Sequence, residues 1–324
     1  MTAFTSRTEL PRLSLALVLI STSAALTACG SNKISIDDLP AEVERRACAR
    51  AVACGGAESQ SSCESTLFVA ESSSLKTLVA AVKRGTVDYD GESADACLDA
   101  ITTTDCAELR AEPAACDKTF RGKVAAGGVC VISAECAGGG QSLEPDTCTA
   151  SCCVGTCAAV APPAALGAAC NVLASKPCVE GAFCASDGTC APRRAVGASC
   201  TGAPDECLDP AVCLFLPDGE TCTVISTAPG AACFPGANYG CGRDDETCNA
   251  TTSICTKRAP VGSACQSSSD CVGFAYCDVN AGTCKARPTV GQACDYATGT
   301  YCLGDLSCSN GVCATPAVGT ACEP

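Results

Sequence analysis

The chain reads as a set of small disulfide-rich repeats, built from short β-hairpins and loops, preceded by an α-helical disulfide-bonded region. Three observations predict this class. Of 324 residues, 34 are cysteine, with no histidine and no tryptophan. Twenty-seven of the cysteines recur in a near-regular beat from Cys130 to Cys322. Over residues 123–324, Leu, Ile, Val and Phe make up only about 15%, a level that by itself suggests disorder. Covalent staples resolve the conflict, because units this small cannot build a sufficient apolar core. A bridge closing a loop of about 15 residues contributes roughly 3 kcal/mol in the chain-entropy treatment, less any strain.

Residues 1–28 have the features of an export signal. Arg7 and Arg12 precede an apolar run from Leu13 to Leu26, short of the roughly 20 residues a spanning helix needs. The run ends Leu26-Thr27-Ala28-Cys29, which resembles the bacterial lipobox. That resemblance implies a lipid on the Cys29 thiol and cleavage just before it. Several acyl chains at roughly 0.8 kcal/mol per CH₂ make a stable anchor. Gly30 follows where an aspartate would favour inner-membrane retention, so the expected site is the outer membrane of a bacterial envelope. Ordinary secretion, with cleavage after Ala25, is the alternative.

Residues 29–36 form a short tether, and residues 37–122 read as a helical six-cysteine domain. Asp37 and Asp38 stand before Pro40, and Val43, Ala47, Ala51 and Cys54 follow at helical spacing until Gly55-Gly56. Ser61-x-x-Glu64 has the capping-box pattern and opens a helix carrying Leu67, Leu75, Leu78, Val79 and Val82, ending near Gly85. Ser93 caps a third helix with Ala94, Cys97, Leu98 and Ile101 on one face. The six cysteines allow fifteen connectivities. The favoured expectation is Cys54–Cys63, Cys48–Cys97 and Cys106–Cys116.

From residue 123 the repeat begins. Each unit opens with a glycine three residues before a cysteine: Gly127/Cys130, Gly167/Cys170, Gly197/Cys200, Gly230/Cys233, Gly262/Cys265, Gly291/Cys294 and Gly319/Cys322. Four cysteines recur per unit, as in Cys265, Cys271, Cys277 and Cys284. Asp187-Gly188, Asp218-Gly219, Ala281-Gly282 and Asn310-Gly311 stand just before the fourth cysteine, where they favour tight positive-φ hairpin turns. Phe183 and Tyr276, each one residue before a third cysteine, are candidate packing residues. The first unit departs from the pattern, with a Gly138-Gly139-Gly140 insertion and a vicinal Cys152-Cys153 pair. Apart from Cys29 the cysteines number 33, an odd count, so at least one is free or bridges to another chain. Cys152 and Cys153 are the candidates.

The Cys-x₅-Cys-x₅-Cys-x₆-Cys run from Cys265 to Cys284, with Cys-Cys-x₃-Cys at Cys152–Cys157, resembles the Dickkopf N-terminal cysteine-rich domain. The animal domain carries about ten cysteines in one module, whereas four-cysteine units repeat here. In animals it belongs to secreted antagonists of Wnt signalling, an activity that a lipobox-bearing chain does not inherit. The layout of lipobox, six-cysteine helical region and repeats is similar to that of myxobacterial cysteine-rich lipoproteins.

Without histidine, Ser-His-Asp and Cys-His catalysis are excluded, and no phosphate-binding glycine loop follows a strand-like run. The chain is therefore expected not to be an enzyme and to need no cofactor. Metal ligation is disfavoured, because there is no histidine and no C-x₂-C pair to hold zinc. Removing residues 1–28 takes the net charge from −14 to about −15, which disfavours nucleic acid as a partner. The expected partners are the membrane, through the N-terminal lipid, and a protein or envelope polymer. The leading expectation is an envelope lipoprotein whose array projects from the helical region in a structural or protein-interaction role. A periplasm-facing binding protein or protease inhibitor is the second reading, and thiol redox or metal storage the third.

Overall fold

In the computed structural model, the described residues are 33–67, 72–102, 106–107, 113–145, 153–171, 176–203, 205–216, 219–235, 240–316 and 321–322. Four α-helices come first: α1 (Leu39–Ala53), α2 (Gln60–Glu64), α3 (Ser73–Arg84) and α4 (Gly91–Thr102). Pro40 lies in the first turn of α1, where its missing N–H costs nothing. Gly55, at φ +70°, follows its end. Asp90 accepts from the amides of Glu92 and Ser93 and so caps α4 in place of Ser93. Ala94, Cys97, Leu98 and Ile101 on α4 pack with Leu39, Val43 and Cys116 into the largest apolar cluster. Ile34, Ile36, Tyr89 and Phe120 cover it.

The stretch expected as one helix from Ser61 to Gly85 is divided. The side chain of Ser59, two residues before the expected cap, accepts from Ser62 N, and α2 ends after Glu64. Ser72 caps α3 by accepting from Leu75 N, and Gly85, in the left-handed region at φ +80°, ends it. Two serine caps, each able to satisfy orphan amides, compete with the single continuous helix that the apolar spacing suggested.

Among the described residues there are fifteen strands, all short. β1 (Val87–Tyr89) pairs with β2 (Phe120–Gly122), and β3 (Val129–Cys130), β4 (Ser142–Leu143) and β5 (Gly155–Cys157) form a three-stranded sheet in the order β3-β5-β4. Five antiparallel hairpins follow. They are β6 (Ala182–Cys184) with β7 (Cys190–Pro192), β8 (Ala211–Leu216) with β9 (Gly219–Val224), and β10 (Glu246–Asn249) with β11 (Ile254–Lys257). The last two are β12 (Ala275–Asp278) with β13 (Thr283–Ala286) and β14 (Ser307–Ser309) with β15 (Val312–Ala314). A two-stranded ribbon is marginal alone in water, so the stability of each hairpin must come from its bridges.

The array does not simply project from the helices. It returns to them at several places. In the first unit Lys123 N donates to Thr86 O, and Arg84 Nη2 meets Glu135 Oε1 at 2.9 Å. In the fourth, buried Arg50 meets Asp244 at 2.5 Å and Asp244 N donates to Cys106 O. In the fifth, Gly273 N donates to Gly55 O at 2.6 Å; in the sixth, Asp305 N donates to Thr66 O at 2.8 Å. Cys322 N donates to Thr77 Oγ1 at 2.9 Å. Glycine makes two of these approaches possible. A Cβ on Gly273 would stand 2.9 Å from Gly56 Cα, and one on Gly304 would stand 2.5 Å from Thr66 O.

Candidate functional site: stacked disulfides and a buried thiol

Each of the last five complete units uses its four cysteines in one way: first to third, second to fourth. The bridges are Cys170–Cys184 and Cys178–Cys190, Cys200–Cys213 and Cys207–Cys222, and Cys233–Cys248 and Cys241–Cys255. Cys265–Cys277 and Cys271–Cys284, and Cys294–Cys308 and Cys302–Cys313, complete the set. The third and fourth cysteines face each other directly across the hairpin, as in Cys213↔Cys222 and Cys277↔Cys284. Their side chains share one face, and each reaches to a different cysteine in the segment before the hairpin. Two bridges therefore lie side by side, and in Cys200, Cys207 and Cys222 all three sulfurs are within 4.8 Å of one another. Such sulfur groups are crossings of disulfides; a bridged sulfur is not a thiolate and lacks the charge a metal ligand supplies.

The opening glycines have a specific task. The amides of Gly127, Gly167, Gly197, Gly262 and Gly291 each donate to the carbonyl of the last cysteine of their unit, at 2.7–2.8 Å. All five have φ between +76° and +87°, a region that a side chain strains. Gly230 is the exception, and its amide donates to Glu246 Oε1 at 3.3 Å. Gly319 lies outside the described residues. Phe183 is buried, opposite Ala191 on the face of its hairpin away from Cys184 and Cys190, and Tyr276 is half-buried.

A second element recurs beside the cysteines. An acidic residue precedes the second cysteine in three units: Glu135, Glu206 and Asp270. One carboxylate oxygen in each accepts backbone N–H groups from just after the first cysteine. Glu135 takes Val131 and Ile132, Glu206 takes Thr201 and Ala203, and Asp270 takes Gln266 and Ser267. Glu135 and Glu206 are each 1% exposed. Burial alone would raise the Glu135 carboxyl. Hydrogen bonds from Thr86, the Val131 amide, Arg84 and the Ile132 amide outweigh it and hold the group below its ordinary range. For Glu206 the same opposition is won by Thr201, Ala203 and Arg194, whose Nε is 2.6 Å away.

The bridges among the helices differ from the expected scheme. They are Cys48–Cys63, Cys54–Cys106 and Cys97–Cys116. Cys48 lies on the face of α1 that meets α2, not α4, so its near partner is Cys63. Cys54, at the end of α1, is then left to reach Cys106. The Cα–Cα separations of 4.6–5.5 Å suit bridging.

The free thiol also lies elsewhere than expected. Cys153 is disulfide-bonded, and Cys152 lies outside the described residues, as does Cys29. Among the described residues the free cysteine is Cys130, which is 1% exposed. It is the first cysteine of the first unit, whose second and last, Cys136 and Cys157, are bridged as the second and fourth are elsewhere. Its thiol stands 3.6 Å from Cys136 Sγ and donates to Ser142 Oγ at 3.3 Å. The signal in the sequence is the irregular first unit itself, with its glycine insertion and six cysteines in place of four.

The disulfides mark a stabilised protein of an oxidising, extracellular or periplasmic compartment. Among the described residues no helix is long and apolar enough to cross a membrane. No family model, no curated protein and no solved structure matches the chain.

Proposed function

We propose that the protein is a non-enzymatic lipoprotein of the bacterial envelope, held by lipid on Cys29, whose stapled array serves a structural or protein-interaction role. The observation that supports this reading most is the invariant first-to-third, second-to-fourth pairing in five successive hairpin units. A scaffold fixed by bridges rather than by a core keeps its loops in place under proteolysis and dilution, and the inter-cysteine loops are free to vary for contact. The lipobox Leu26-Thr27-Ala28-Cys29 and the acidic charge support membrane anchoring without nucleic-acid binding. The Dickkopf-like spacing supports a contact role for the units and carries no signalling activity with it.

The test is the intact mass of membrane-extracted protein alkylated without reduction. The reading expects a lipidated Cys29, sixteen disulfides and one thiol among the thirty-three other cysteines. Several alkylated thiols would favour thiol storage or redox chemistry, and a mass without lipid would remove the anchor. Protease applied to intact and to permeabilised cells then separates surface display from the periplasm-facing alternative.

A further inference from the structure

Arg287 lies between the fifth and sixth units. Its amide donates to Phe274 O at 2.9 Å, and its Nε–H donates to Gly273 O at 3.2 Å. The carbonyl occupies the Nε side of the guanidinium and leaves the terminal Nη1/Nη2 pair. Among the described residues no carboxylate faces it, and the ionisable neighbour that bears on it is the Tyr301 phenol. This sets it apart in a chain of net charge −14, where Arg50, Arg84 and Arg194 all meet carboxylates. Arg287 is half-buried, and this partial burial pushes its pKa below the ordinary arginine value.

Arg287 lines a cavity of about 300 Å³ between the helices and the last two units. Gly56, Cys63 and Leu67 form one wall, and Gly273, Leu303 and Gly304 the other. The walls are held apart by backbone contacts on both sides, Gly273 to Gly55 and Asp305 to Thr66, so the space does not close by sliding. Its volume is at the small end of ligand pockets.

We propose that this cavity is a carboxylate-binding site, in which Nη1 and Nη2 of Arg287 take both oxygens of one carboxylate. End-on guanidinium pairing with a carboxylate is planar, bidentate and strong where water is sparse. The short aliphatic part of the ligand lies against Leu67 and Leu303. The carboxylate comes from the chain end of a partner protein or from a free small acid; the recognising chemistry is the same.

The test uses the full mature protein, ¹⁵N-labelled, titrated at constant ionic strength with acetate, N-acetylalanine and N-acetylalaninamide. Both acids are expected to move the Gly273 and Leu303 amides and the Arg287 Nε–H saturably, and the uncharged amide is not. Binding weakens about tenfold in R287K, which keeps the charge and loses the fork, and disappears in R287A. R258A leaves it unchanged. Tenfold preference for N-acetylalanine over acetate assigns a peptide terminus, and equal affinity assigns a free small acid. Shifts that do not saturate, or that the amide reproduces, overturn the proposal. Because R287K and the amide ligand need no folded R287A, either suffices to decide.

Discussion

The amide of Gly273 donates to the carbonyl oxygen of Gly55 at 2.6 Å, so the fifth repeat unit rests directly on the turn that ends α1. The two residues are far apart in the chain, and only backbone meets backbone. A Cβ at Gly273 would stand 2.9 Å from Gly56 Cα and 3.3 Å from Gly55 O, neither of which is a movable side-chain end. G273A is therefore expected to cost about 1–3 kcal/mol through overpacking. Amide hydrogen exchange at Gly273 should rise in the variant while the Cys271–Cys284 bridge stays formed. Unchanged exchange would mean that the array does not rest on the helices.

Cys130 is expected to be silent in the native protein. A thiol 1% exposed, held against the Cys136–Cys157 bridge, gives a reagent no access. An aromatic disulfide reagent should titrate no thiol before denaturation and one after it. C130A should retain every disulfide and lose that titration. A native thiol reacting at the rate of an exposed cysteine would contradict the buried placement.

Acid should loosen the first unit from the helices. The folded-state pKa of Glu135 is depressed, so its stabilisation is present above the unfolded value of about 4.3 and is lost as pH falls through the folded value. Glu42, lowered to about 2 chiefly by the Arg45 hydrogen bond, loses its contribution over the same fall from about 4.3. E135Q keeps the shape but removes the charge that binds Arg84. Its stability should vary less between pH 5 and pH 2, as an order-of-magnitude window, than that of the wild type. Equal pH dependence in the two proteins would remove Glu135 from the account.

Much of this architecture can be read in advance, and the limits have physical causes. Gly-x-x-Cys identifies the units because only glycine sits well at φ near +80° while its amide reaches the last cysteine. The face of α4 is legible because Ala94, Cys97, Leu98 and Ile101 recur at helical spacing and are all buried. The disulfide partners are not legible, because Cys48, Cys54 and Cys63 are all near in sequence and only the packing of α2 on α1 selects Cys48–Cys63. The return of the array to the helices depends on Gly55, Gly56, Gly273 and Gly304, which in sequence look like ordinary turn glycines. The acids before the second cysteines are visible in sequence, but their meaning lies in amides that come together only in the fold.

A single bridge should matter locally. Removing Cys207–Cys222 as C207A/C222A frees a loop of about 15 residues, at a cost of roughly 2–4 kcal/mol. Repeat units depend mainly on their neighbours, so the loss should centre on β8 and β9. Limited proteolysis is expected to cut first between Cys207 and Cys222, and cleavage first in the sixth unit would argue against local stabilisation.

The most direct test of the account is disulfide mapping of the native protein by non-reducing peptide mass spectrometry. The predicted result is Cys48–Cys63, Cys54–Cys106 and Cys97–Cys116 in the helical region, with first-to-third and second-to-fourth bridges in each unit from Cys170 to Cys313. Peptides linking a third cysteine to the fourth across its own hairpin, such as Cys277 to Cys284, would contradict it.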